Sequence, residues 1–172
     1  MKKILSLLII CLIVSCTQNR YHVDEITNPT DTLCFLKKDM SLVNGIVYNE
    51  FGDVGLFKNG MKNGIHKEWY ENGQLLYERD YKNGEYHGLF KKWYENGQLE
   101  FEENYKNGEL DGPYKKWYEN GQLEFEGNYI NGIVDGLFRQ WYENGQLKDE
   151  IIINNSKKDG LCKWWYENGQ LK

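Results

Sequence analysis

Five tryptophans, Trp69, Trp93, Trp117, Trp141 and Trp165, recur at intervals of 24 residues and are the side chains here best suited to a shared chemical task. An indole is a flat apolar platform on which a sugar ring or a peptide side chain can stack, and its N–H supplies one donor. Five of them along one face would form either a ladder of stacking surfaces or, if buried, a structural spine between neighbouring units. Two residues on, a glutamate repeats with the same period at Glu71, Glu95, Glu119, Glu143 and Glu167. Such a column could be read as paired carboxylates or as a calcium site. Calcium, however, wants roughly six to eight oxygens gathered tightly, and each glutamate stands beside an Asn-Gly dipeptide, where turn chemistry and solvation account for it. The histidines His22, His66 and His87 share no metal-ligand spacing, and His66 and His87 read as surface or strand residues. No nucleophile-elbow, zinc-protease or phosphate-loop pattern is present. An active site needs unlike groups converging at one place, whereas every prominent residue here repeats down the chain. The expectation is a protein that binds or scaffolds, with no catalytic residue, cofactor or metal.

These columns are positioned by a short unit. Each tryptophan opens the same heptapeptide, Trp-Tyr-Glu-Asn-Gly-Gln-Leu, and a glycine lies five residues before it, at Gly64, Gly88, Gly112, Gly136 and Gly160. Within one unit, Leu89–Tyr94 and Leu99–Tyr105 flank Glu95-Asn96-Gly97-Gln98, which reads as a β-hairpin. Asn-Gly at its tip suits a type I′ turn, because both central residues there need positive φ. That turn sets Tyr94 opposite Leu99, Trp93 opposite Glu100, Lys92 opposite Phe101, Lys91 opposite Glu102 and Phe90 opposite Glu103. Two-residue alternation then puts Phe90, Tyr94, Leu99, Phe101 and Tyr105 on one face, the better core, and Leu89, Trp93 and the Lys91–Glu102 pair on the other. A second Asn-Gly, at Asn83-Gly84, Asn107-Gly108 and Asn131-Gly132, returns the chain to the next hairpin. The fold class is therefore all-β: an elongated, single-layer antiparallel sheet of tandem hairpins, rising about 10 Å per repeat, in which each repeat is stabilised by its neighbours.

Five repeats fill residues 64–172, the last incomplete, and residues 43–63 read as a degenerate sixth copy. At Leu171-Lys172 the fifth heptapeptide has no second strand after it, so either the sequence is truncated there, the preferred reading, or the open edge is used to pair with another chain. Asp149 replaces Phe101 and Phe125 of the column, and Asn155-Ser156 replaces Asn-Gly, so pairing should be weakest in the fourth repeat. Residues 16–42, with turn chemistry around Asn28-Pro29-Thr30 and no repeat, read as a disordered tether.

The N-terminus carries a different signal. Lys2 and Lys3 precede an apolar run from Ile4 to Val14, with the charge and length of a secretory signal peptide spanning 1–15 rather than of a membrane span. Ile13-Val14-Ser15-Cys16 resembles the lipobox of bacterial lipoproteins, which implies cleavage before Cys16 and acylation of its thiol. Two or three chains would hold the protein at a membrane, the outer membrane in a double-membraned cell, since Thr17 rather than an acid follows the cysteine. Removing the two lysines takes the formal charge of −5 to −7, and with no Lys/Arg block left, nucleic acid is not an expected partner. With Cys11 removed and Cys16 acylated, Cys34 and Cys162 remain near opposite ends of the array. They are too far apart for a disulfide and are expected as free thiols, Cys162 buried.

The unit Gly-x-x-Lys-x-Trp-Tyr-Glu-Asn-Gly-Gln-Leu, followed by Tyr-Lys-Asn-Gly, resembles the bacterial MORN-repeat variant over residues 60–172. Proteins of this kind carry the label of YwqK-type antitoxins, which implies neutralisation of a toxin by binding. The expected partners are a membrane through the lipid and either a protein or a cell-surface glycan, the latter read by the Trp and Tyr columns.

Overall fold

In a computed structural model, which describes residues 18–30, 33–154, 157–160 and 162–172, the chain is built from strands and a single turn of 3-10 helix, Val23–Glu25. The expected signal peptide, Cys16 and the Asn155-Ser156 departure lie outside the described residues.

The strands run as consecutive hairpins: β1 (Arg20–His22), β2 (Ile26–Thr30), β3 (Leu33–Leu36), β4 (Gly45–Asn49), β5 (Gly52–Lys58), β6 (Met61–Trp69), β7 (Leu75–Lys82), β8 (Glu85–Trp93) and β9 (Leu99–Lys106). They continue as β10 (Glu109–Leu110), β11 (Gly112–Trp117), β12 (Leu123–Ile130), β13 (Ile133–Val134), β14 (Gly136–Trp141), β15 (Leu147–Asn154), β16 (Lys157–Lys158) and β17 (Lys163–Trp164). All but β2 and β3 belong to one sheet whose neighbours follow chain order from β4 onward, antiparallel throughout except where β1 lies parallel to β4. The long open sheet of tandem hairpins is thus the observed architecture, and β4–β5 form a hairpin at the place assigned to the degenerate copy.

The two Asn-Gly series make different turns. At Asn83-Gly84, Asn107-Gly108 and Asn131-Gly132 both residues have positive φ, near 50° at each asparagine, as a type I′ turn demands. At Asn96-Gly97 only the glycine does. There Gly97 N–H donates to Tyr94 O at 2.9 Å and Tyr94 N–H to Gln98 O at 2.8 Å, closing a three-residue loop of a type I turn followed by a left-handed glycine. The expected type I′ turn at this site is therefore wrong. The asparagine side chain decides it: Asn96 Oδ1 accepts from Gln98 N–H at 2.9 Å, holding Asn96 out of the left-handed region. The extra loop residue produces a bulge, so Trp93 stands opposite Leu99, not Glu100, and Tyr94 leaves the core face for the turn. Phe90–Glu103, Lys91–Glu102 and Lys92–Phe101 pair as the alternation requires, and the bulge recurs at Trp69, Trp117 and Trp141.

The tether expected over 16–42 is also corrected within the described residues. The β2–β3 hairpin packs over the first array strands, enclosing a core of Cys34, Leu36, Val43, Val47 and Phe57, with Tyr21, Val23 and Ile26 against it. The backbone is tied down as well, with Cys34 N–H donating to Gly60 O and Val43 N–H to Cys34 O. Apolar side chains at alternating positions 34 and 36, and at 43 and 47 on either side of Gly45, explain this, because a lone β4–β6 would leave Val47 and Phe57 facing water. Among the described residues of the repeats, by contrast, only His66, Tyr81, Phe90 and Asp149 are buried.

Candidate functional site

The sheet has two unlike faces, and each can do something different. On one face the cations and carboxylates of successive strands alternate in a single line. Lys67 bonds Glu78 at 3.3 Å, Lys91 bonds Glu102 at 3.1 Å, and Arg139 bridges Glu126 at 3.1 Å and Glu150 at 3.0 Å, with Lys163 closing on Glu150 at 3.4 Å. Lys115, opposite both Glu126 and Glu102, completes the series. Cross-strand pairs of this sort favour register more than they add stability, each being worth about 0.2–1 kcal/mol at a half-exposed site.

The tryptophan column belongs to this face. Trp69, Trp93, Trp117, Trp141 and Trp165 are all half-buried, neither a sealed spine nor open platforms. No ring contact links one of these indoles to the next among the described residues; Trp69 instead meets Phe51, with ring centres 6.2 Å apart.

What joins the repeats at this edge is the rest of the heptapeptide. The hydroxyls of Tyr70, Tyr94 and Tyr118 each donate, at 2.8 Å, to the backbone carbonyl of the next repeat's tryptophan, and Tyr142 does so to Trp165 at 3.0 Å. In parallel, Asn96, Asn120 and Asn144 donate through Nδ2 to the carbonyls of Glu119, Glu143 and Glu167, each at 3.0 Å. The glutamine stacks on the following turn, so that a Cβ at Gly121 or Gly145 would collide with Gln98 or Gln122. The glutamates of the Glu71–Glu167 column are exposed and enter the clamp through their backbone carbonyls, Glu95 adding its carboxylate as an acceptor from Asn72 Nδ2 at 3.4 Å. Period alone marked these residues, but sequence reasoning assigned Tyr94 to the core and missed the clamp.

The opposite face is aromatic. Rings follow one another from Phe57 to His66 (4.9 Å), Tyr81 (5.2 Å), Tyr86 (5.2 Å) and Tyr105 (5.3 Å), and along a second line from Phe90 to Phe101 (4.9 Å), mostly edge-on or tilted. Farther along, Tyr114 meets Phe125 at 5.3 Å and Phe125 meets Phe138 at 4.0 Å. His66 is buried among these rings, donating from Nε2 to Leu56 O at 2.8 Å; burial lowers its pKa from 6.5 to about 4. Of the two readings, surface or strand, it is a strand residue, on β6, and its side chain is turned into the core. Gly55 makes room for it, since a Cβ there would lie 2.5 Å from the imidazole. Arg79 sits in the corner between Tyr77 and Phe90, whose planes are nearly perpendicular, its guanidinium carbon 4.0 and 4.2 Å from the ring centres, with Nη1 donating to the Tyr86 hydroxyl at 3.1 Å. Tyr105 donates to Glu103 at 2.8 Å, and burial raises the Glu103 pKa. Asp149, in the place of Phe101 and Phe125, is buried here too and its pKa is raised by that burial.

His66 breaks a column that continues Phe90, Tyr114 and Phe138 and ends in Cys162, whereas the column of Arg79 has no constant residue, reading on as Glu103, Gly127 and Ile151. That break in the repeat was the available signal that the first repeat has neighbours of its own. Among the described residues Cys34 and Cys162 are free thiols, as expected, but Cys162, expected to be buried, is half-buried while Cys34 is buried. Burial also pushes the Cys34 thiol pKa up. Among the described residues no cluster of three His, Cys, Asp or Glu could hold a metal, and no helix is long and apolar enough to cross a membrane.

A family model described as the MORN repeat variant matches residues 62–83, 86–107, 110–131, 134–155 and 158–172. No curated protein matches the chain.

Proposed function

Given that this chain belongs to the MORN repeat variant family, we propose that it is a protein-binding module, presented from a membrane by lipid on Cys16, whose aromatic face receives an extended apolar segment of its partner. One observation carries this. The same face is covered at its start by the chain's own β2–β3 hairpin, with Cys34 and Leu36 seated on Val47 and Phe57, and the cover stops there while the aromatic lines run on. Phe101, Tyr105, Tyr114, Phe125, Tyr129 and Phe138 are left half-buried on a single layer. Aromatic rings with a rigid backbone suit such an interface, because they bring large area at little conformational cost. The resemblance to YwqK-type antitoxins makes a toxin one class of protein to try.

The test is site-specific photo-crosslinking in cells, with the reactive residue placed at Phe138 on the aromatic face or at Leu137 on the charged face. The expected result is one discrete protein adduct from position 138 and none from 137. Adducts from 137 alone would move the site to the charged face. Anchoring is checked separately: labelled palmitate should enter the wild-type chain and not the Cys16→Ser variant.

A second reading, a glycan binder, is favoured by the half-exposure of the tryptophan column. Cell-wall glycans should then protect the indoles from acrylamide quenching; if quenching is unchanged by them, this reading fails.

A further inference from the structure

Where the N-terminal hairpin ends and the open aromatic face begins, there is a cleft of about 350 Å³ lined by Lys62, Arg79, Tyr81, Tyr86, Phe57 and Cys34. We infer that this cleft binds an organic carboxylate, an anionic group carried on an apolar stem.

The two cations are the reason. Among the described residues, the charged face of the sheet pairs its cations with carboxylates, as Lys67, Lys91, Arg139 and Lys163 show. Lys62 and Arg79 have no such partner there. Both are held by rings instead: the Lys62 ammonium stands 5.0 Å over the Tyr81 ring, and the Arg79 guanidinium is lodged in the corner between Tyr77 and Phe90, 4.0 and 4.2 Å from their centres. A guanidinium confined by rings keeps its charge and its planar N–H fork while losing the freedom to turn away, which prepares it for a carboxylate. Glu103 feels the Arg79 charge, but it makes no ion pair with it and its carboxylate already accepts the Tyr105 hydroxyl. In a chain with a net charge of −5, a pair of unneutralised cations in one concavity is a local reversal of sign that concentrates anions.

The walls supply the second half of the ligand. Phe57, Tyr81 and Tyr86 are aromatic, and the volume sits at the low end of small-molecule sites, which are mostly apolar with a few placed polar groups. A bare, strongly hydrated anion would gain nothing from these walls. A carboxylate on an aryl or alkyl stem uses both the charge and the rings. None of this depends on the protein partner proposed above.

Three arginines occur in the chain, Arg20, Arg79 and Arg139, so their Nε–H resonances can be followed one by one in the 15N-labelled full-length protein. Sodium phenylacetate, the neutral phenylacetamide and inorganic phosphate are the probes. Phenylacetate should shift the Arg79 Nε–H and the amides of Tyr81, Gly84 and Tyr86 in a saturable way, with phenylacetamide weaker by roughly tenfold or more, the scale of one charge-assisted hydrogen bond. Lys62→Met should weaken phenylacetate several-fold, and so should Arg79→Lys, which keeps the charge but not the fork; Arg139→Met should leave it unchanged. No saturable shift, equal binding of the amide, phosphate binding as well as phenylacetate, or equal shifts at Arg139 would overturn the assignment.

Discussion

At the scale of single residues, the clamp between repeats and the buried histidine are the two places where one side chain controls the most. Removing one hydroxyl by Tyr118→Phe leaves the Trp141 carbonyl without its donor, and the expected loss is about 1 kcal/mol in urea unfolding. Gly121→Ala should cost more, because it adds left-handed strain of about 1–2 kcal/mol to the collision with Gln98. Combining it with Gln98→Ala should recover the collision and leave the strain; full recovery would show that φ at Gly121 is not constrained. For His66 the sign follows from its lowered pKa. The unfolded chain takes up the proton near pH 6.5 and the fold only near pH 4, so in that window the unfolded state holds more protons. Above the window both states are neutral and His66 adds no pH dependence. As pH falls through it, stability declines, by roughly 3 kcal/mol in total for a shift of this size. His66→Phe, which copies Phe90 of the next repeat, should flatten the decline in urea midpoints relative to wild type; parallel profiles would mean that His66 is not the titrating group.

At the scale of the hairpin, much was readable from residue type and period, and the failures have one physical origin. The strands, the aromatic face and the Phe90–Glu103, Lys91–Glu102 and Lys92–Phe101 pairs follow from alternation, since a period of two admits few registers. The turn did not, because Asn-Gly is compatible with two turns and the choice rests on a side-chain hydrogen bond. Asn96 closes on Gln98 N–H and reaches to Glu119 O, whereas Asn107 adopts φ of 52°. The two asparagines should therefore respond differently to the same change. Asn107→Gly should be nearly neutral, because glycine accepts positive φ freely, while Asn96→Gly removes two hydrogen bonds and should cost about 1–2 kcal/mol. The comparison needs only thermal melts of the two variants. Equal losses would mean that the two turns are held by the same interactions. Trp93 opposite Leu99, with the tyrosine thrown outward to clamp the next repeat, is a consequence of the loop's third residue and was beyond reach once a two-residue turn was assumed.

At the scale of the whole molecule, the hidden feature was long-range. Residues 18–42 carry no repeat and little periodicity, so their place on the aromatic face depends on contacts with Val47 and Phe57 rather than on local pattern. The cleft with Lys62 and Arg79 was invisible for the same reason, since one wall comes from β3 and the other from β5–β8. An array in which each repeat touches only its neighbours should transmit the loss of this cover weakly along its length. Deleting residues 18–42 should thus have a graded effect. It would uncover Val47, Phe57 and the His66 ring, remove the Cys34–Gly60 backbone bond, and abolish amide protection in β4–β6, with new binding of a hydrophobic dye. Protection in β11–β15 should be almost unchanged, because its clamps run from Tyr118 to Trp141 and from Tyr142 to Trp165, among residues the deletion never touches. Hydrogen exchange read strand by strand decides it. Uniform loss of protection would mean that the array folds as a single cooperative block and that the N-terminal hairpin nucleates all of it, in which case the aromatic face could not be held open for a partner independently of the segment that covers its first rings.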